Sequence, residues 1–72
     1  MARQGMVESQ GIVDKILGGG WHRVTLETGQ TIQAKLSGRL RQHRIRVIEG
    51  DDVKIELSEA DLSKGFITYR LS

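Results

Sequence analysis

The segment SGRLRQHRIR, residues 37–46, places four arginines in its last eight positions. A guanidinium is a planar fork of donors that matches the oxygens of phosphates and carboxylates, so arginines this closely spaced point to an anionic ligand with many charges. No acidic residue lies between Glu27 and Glu49, an interval that holds Lys35, Arg39, Arg41, Arg44 and Arg46. Residues 1–46 carry eight Lys/Arg against three Asp/Glu, and residues 47–72 carry three against six, so a net charge of +2 hides halves of +5 and −3. A solvated basic loop would not be prohibitive in energy, because two charges about 8 Å apart in water repel by only about 0.5 kcal/mol. The sorting is what argues against it, since ordinary surfaces intersperse the two signs. A polyanionic partner on one face is therefore expected.

Other reactive residue types do not assemble into a catalytic or metal-binding set. His22 and His43 lie in different elements, and the chain has no cysteine and no third histidine to complete a metal site. Each histidine reads as structural or as facing the polyanion. Asp51 and Asp52 are adjacent, and neighbours in an extended strand point to opposite faces, so they end the turn after Gly50 and do not form a carboxylate pair. Gly18-Gly19-Gly20 lacks the Gly-Lys-Ser/Thr ending of a phosphate loop and precedes a strand, which makes it a turn. No catalytic residue, metal or cofactor is expected, and the chain does not read as an enzyme.

The elements that must position the arginines follow from a period of two broken by glycines. GIVDKIL sets Val13 and Leu17 on the face of Gly11, and the three glycines follow it. WHRVTLE puts His22, Val24 and Leu26 on one face and Trp21, Arg23 and Thr25 on the other. ETGQ makes a hairpin with Gly29 free to take positive φ. TIQAKL turns Ile32, Ala34 and Leu36 inward, with Thr31, Gln33 and Lys35 outward. VKIEL turns Val53, Ile55 and Leu57 inward. A polar loop, SEADLSKG, leads to FITYRL, where Ile67, Tyr69 and Leu71 form the expected core set. Within the arginine segment, Ser37 can cap a short helical turn, Leu40 can plug the barrel end, and Leu40, Ile45, Val47 and Ile48 can anchor the backbone.

At 72 residues the chain reads as one small domain, residues 1–72. A chain of this size buries only roughly 60% of the surface its unfolded form exposes. Without disulfides, a closed sheet or a partner must stabilise it. Five short strands leave little material for a second layer, so the sheet must close on itself. The expected class is all-β: a five-stranded OB-fold barrel with a short helical turn between strands 3 and 4. An SH3-like barrel is the alternative, because alternation alone does not fix strand order. OB-folds bind along strands two and three, whose outward residues here include Trp21, Arg23 and Lys35 but no acid. Trp21 is a candidate for stacking on a base or ribose. A bulge beside the glycines would instead turn Trp21 over the barrel mouth and expose His22. Phe66, outward by parity near Lys64, reads as cover for the loop before the last strand. The N-terminal MARQGMVESQG has no apolar run of signal-peptide length and no stretch is long enough to span a membrane, so a cytoplasmic protein is expected.

At this point a family is recognisable. "QG-V", "RV-LE-G", "SGRLR", "IR", "GD-V--EL" and "DLSKG-I--R" stand in order and spacing as in bacterial translation initiation factor one, and the chain resembles that family over essentially its full length. The resemblance implies an OB-fold that binds ribosomal RNA of the small subunit in the decoding region, blocks the A site, and assists the other two initiation factors in placing initiator tRNA. It implies no catalysis and no cofactor; a monomer with no membrane partner is expected. Carried over by position, the family's RNA contacts match Arg23, Arg39, Arg41, Arg46, Lys64 and Arg70, with Ser37 and Gly38 in the turn before the basic segment. Lys35, Arg44 and Trp21 join them as RNA-binding candidates on the reading of the residues. The chain departs from the family's common pattern at Gly18-Gly19-Gly20, His22, Arg44 and Phe66, and lacks its basic C-terminal end.

Two other functions fit the same elements. A general single-stranded RNA chaperone of cold-shock type shares the barrel but relies on several stacked aromatics, and this chain has three. A protein-interaction barrel would use the acidic stretch EGDDVKIELSEAD against a basic partner.

Overall fold

Alternating apolar residues give five strands in a computed structural model of the protein, which describes residues 5–71. They are β1 (Met6–Ile16), β2 (Trp21–Leu26), β3 (Thr31–Leu36), β4 (Asp52–Ser58) and β5 (Asp61–Arg70), with a five-residue helix α1 (Gly38–Gln42) between β3 and β4. The sheet closes into a barrel in the order β1-β2-β3-β5-β4. The parallel pairing of Gln33–Leu36 on β3 with Lys64–Ile67 on β5 completes the ring, and it decides for the OB-fold over the SH3-like alternative.

Two long strands each serve two neighbours. β1 pairs with β4 through Met6–Ile12 and with β2 through Gly11–Ile16; β5 pairs with β4 at Asp61 and between Gly65 and Arg70, and with β3 at Lys64–Ile67. The residues bonded on both sides include Gly11 and Gly65, both buried. A Cβ on Gly11 would lie 2.5 Å from the Thr25 carbonyl oxygen, and one on Gly65 would lie 2.5 Å from that of Glu56. Glycine is required there because the neighbouring strand's backbone occupies the space a side chain would need.

The interior follows the expected parity through Val13, Val24, Leu26, Ile32, Ala34, Val53, Ile55, Leu57 and Ile67, with Leu40 and Val47 in the same cluster. Departures trace to two bulges. Val13 pairs with Val24 but Lys15 with Arg23, so Asp14 is extra and parity shifts: Ile16, not Leu17, lies opposite buried His22. On β5, Ile67 pairs with Ile55 but Tyr69 with Lys54, leaving Thr68 extra. Tyr69 and Leu71 are therefore not core residues; they are 47% and 44% exposed, and only Ile67 of the expected set is buried.

Strand limits also differ from the sequence reading. β1 begins at Met6, well before GIVDKIL, because the β4 ladder holds its polar first half. The expected loop SEADLSKG is mostly strand, and the connection is a turn at Glu59–Ala60. In the arginine segment Val47 is buried but Ile45 and Ile48 are exposed. Gly29 has the expected positive φ, at 91°.

Candidate nucleic-acid interface

Both ends of α1 are closed, which gives its arginines fixed origins. The Ser37 hydroxyl accepts the Leu40 N–H at 3.4 Å, and Leu40 packs into the core. At the other end the Ile45 N–H donates to the Leu40 carbonyl at 2.9 Å and the Arg44 N–H to the Arg41 carbonyl at 3.2 Å. This bonding pattern is the Schellman motif, whose turning residue adopts a left-handed conformation and is usually glycine. Here that residue is Arg44, at φ 56°.

From this scaffold Arg41, Arg44 and Arg46 border one groove floored by Ile16, Leu36, Ile45, Val47 and Ile48. Arg41 also reaches a smaller depression that it shares with Lys35, Gly19 and Gly20. Lys35 in turn sits over the Trp21 ring, its Nζ 4.8 Å from the centroid, and the Lys64 Nζ is 5.9 Å away. Lys64, Trp21, Lys35, Arg41, Arg44 and Arg46 thus form one run of surface. His22 is buried beneath it, its Nδ1–H donating to the Ala34 carbonyl at 3.2 Å. This settles the parity left open beside the glycines: Trp21 faces outward and His22 inward.

The remaining candidates lie apart from that run. Arg39 donates to the Tyr69 hydroxyl at 2.8 Å and lies 5.0 Å from its ring centroid. Together with Arg70 it borders a second depression lined also by His43 and Leu71. Arg70 is partly neutralised, its Nε 3.2 Å from the Asp51 carboxylate. Arg23 projects from β2 between Lys15 and Gln33 of the flanking strands. Among the described residues, no carboxylate forms an ion pair with Arg23, Lys35, Arg39, Arg41, Arg44, Arg46 or Lys64. Asp61, near Lys64, has its carboxyl held below the ordinary value chiefly by the Ser63 hydroxyl, helped by the Ser63 N–H and the Lys64 charge. Among the described residues no group of His, Cys, Asp or Glu could hold a metal ion, and no helix is long and apolar enough to cross a membrane.

A family model described as "Translation initiation factor 1A / IF-1" matches residues 2–72. The chain belongs to this family. It is 47% identical over 70 residues to "Translation initiation factor IF-1 2" of Bordetella avium (strain 197N), covering 97% of this chain and 80% of that protein. Identity and coverage are the same for "Translation initiation factor IF-1 1" of Burkholderia pseudomallei (strain 668). The solution structure of the IF-1 translation initiation factor from the Wolbachia endosymbiont of Brugia malayi superposes with a TM-score of 0.80 at 35% identity, over 96% of this chain and 82% of that one. YjeQ from Thermotoga maritima superposes with a TM-score of 0.74 at 28% identity, over 92% of this chain but 23% of that one.

Two residues beside the candidate interface of this IF-1 family member escaped the sequence reading. Lys15 comes to lie opposite Arg23 only because of the bulge at Asp14. Tyr69, assigned inward by strict alternation, instead holds Arg39. No local signal marks either bulge, and Lys15, directly after Asp14 in a strand with a polar first half, is not set apart by its charge.

Proposed function

We propose that this chain acts in translation initiation by binding ribosomal RNA of the small subunit in the decoding region. It fills the A site, and with the other two initiation factors favours placement of initiator tRNA in the neighbouring site. It works in the cytoplasm as a monomer, by occupancy alone, with no catalytic step and no cofactor. Arg41, Arg44, Arg46, Lys35 and Lys64 contact phosphates, with Trp21 beside them; Arg39, Arg23 and Arg70 extend the contact. The observation that carries this reading is an anchored run of cations that, among the described residues, forms no ion pair with a carboxylate. Such a surface offers its full charge to RNA, whereas a cation already paired must first break its own ion pair.

Sedimentation with small subunits, large subunits and a cold-shock target RNA in parallel tests it. Preference for the small subunit, increased by the other initiation factors, is the expected result. Five phosphate contacts give a log–log dependence of affinity on salt with a slope of about −4, at about 0.7–0.9 per contact. Replacing Arg41 and Arg46 together with alanine reduces that slope by about 1.5 and leaves the fold intact. Equal affinity for all three partners, or a flat salt dependence, would refute the proposal.

A further inference from the structure

The outward residues that cross the barrel from β1 through β4 and β5 to β3 run Glu8, Glu56, Phe66, Lys35, each the direct cross-strand partner of the next. Lys35 belongs to the basic run; the other three belong to a different flank. With Lys54 and Tyr69 they line a groove of about 660 Å³ bordered by the start of α1. Phe66 does not cover the loop before the last strand, as its parity suggested; it is 49% exposed, and Tyr69 in the same groove is 47% exposed. Two half-exposed rings in one depression leave apolar area for a partner to cover. Glu8 and Glu56 face each other directly across β1 and β4, where Cβ atoms lie about 4.5–5.5 Å apart and like charges destabilise a sheet. Among the described residues neither carboxylate forms an ion pair. A like-charged pair beside an aromatic ring does nothing for the barrel itself; it complements a cation brought by another molecule.

We propose that this groove docks an extended segment of a partner protein that carries an arginine next to an apolar side chain. The guanidinium sits between Glu8 and Glu56, and the apolar side chain lies against Phe66 and Tyr69. A guanidinium reaches two carboxylates at once through its fork of donors and stacks on an aromatic face, which suits it to this site better than an ammonium. Lys54 and Arg39 border the other end of the groove, so the partner's cation is confined to the Glu8–Glu56 end. A nucleic acid is disfavoured, because its phosphates would meet two uncompensated carboxylates. The inference is independent of the RNA-binding reading above: it gives the domain a second surface, which meets protein while the basic run meets RNA.

The probe is the blocked heptapeptide Gly-Ser-Leu-Arg-Leu-Ser-Gly, titrated into the isotope-labelled full chain and followed by amide NMR shifts. Saturable shifts centred on Glu8, Glu56 and Phe66 are expected, with none at Arg41, Arg44 or Arg46. Lysine in place of the peptide's arginine weakens binding, and glutamate abolishes it. Glu8→Gln and Glu56→Gln each lower affinity about twofold to fivefold. Neither variant melts below the parent chain, since each relieves a like-charge contact. Reversing both charges, Glu8→Lys with Glu56→Lys, exchanges the preference, so that the glutamate peptide binds better than the arginine one. Phe66→Ala lowers affinity about tenfold, and Phe66→Leu carries that arm should the alanine variant fail to fold. Shifts absent from this flank, equal affinity for the arginine and glutamate peptides, or an unaltered preference in the charge-reversed variant would overturn the proposal. So would a uridine hexanucleotide that moves the same amides. Small-subunit sedimentation on the same preparations separates the two readings: its failure leaves the groove standing, and failure of the peptide titration leaves the RNA surface standing.

Discussion

Replacing Arg44 with glycine should move stability and RNA affinity in opposite directions. Arg44 is the described non-glycine residue with positive φ, 56°, at the turning position of a helix end that favours glycine. A left-handed conformation costs a side-chain-bearing residue roughly 1–2 kcal/mol. Glycine removes that cost but gives the unfolded chain extra freedom worth about 0.4–1 kcal/mol. The balance is a gain of about 0.5–1 kcal/mol, or a rise in Tm of about 2–8 °C for a chain of this size. The same change deletes one guanidinium from the Arg41–Arg44–Arg46 groove, so the salt slope for small-subunit binding falls by about 0.7–0.9. Arg44→Ala is the control: it loses the same charge and keeps the strained backbone, so its slope falls equally while its Tm does not rise. Thermal melts and salt-dependent binding of the three proteins check this. An Arg44→Gly variant no more stable than Arg44→Ala would refute the strain argument. An unchanged slope in both would remove Arg44 from the interface.

Three further outcomes follow from the geometry. Gly65→Ala forces a Cβ toward the Glu56 carbonyl oxygen at 2.5 Å and the Leu57 Cδ2 at 2.7 Å, and should destabilise by about 1–3 kcal/mol in urea melts; wild-type stability would mean the barrel can widen there. Ser63→Ala should raise the Asp61 pKa toward its ordinary 3.8, measured by NMR titration of the carboxyl carbon. Because the folded value is the lower one, that interaction stabilises the fold above the ordinary pKa and is lost as pH falls through the depressed one, so the two melts should converge only in acid. Tyr69→Phe removes the hydroxyl that accepts from Arg39 but keeps the ring beneath it, so subunit affinity should fall modestly, about two- to tenfold, with the salt slope unchanged.

The strands, the helical turn and the basic segment were legible in the sequence because each rests on local pattern: alternation, a capping serine, an interval free of acids. Val24, Ile32 and Ile55 show it, each inward by parity and each buried. What escaped depends on closing the ring. The extra residues at Asp14 and Thr68 shift the register between paired strands, and nothing in VDKI or ITYR announces them. Each shifted everything beyond it, turning Tyr69 outward and bringing Lys15 to Arg23. The polar first half of β1 was missed for a related reason, since its strand character comes from the β4 ladder it joins, while the start of β5 is held by Asp61 opposite Ser58 and by Lys64 opposite Gln33 of β3. Arg70 looked equivalent to the other arginines because its partner, Asp51, is distant in the chain and was read only as the end of a turn.

Asp51 reaches further than a turn residue. Its carboxylate accepts the Ile48 N–H at 2.9 Å and meets Arg70, while its carbonyl accepts the Val13 N–H at 3.0 Å. One buried residue thereby buttons the segment after the helix, the middle of the first strand and the finish of the last onto a common point. Loosening one of the three removes a contact from the residue that holds the other two, so the basic loop and the C-terminal strand end are expected to lose order together.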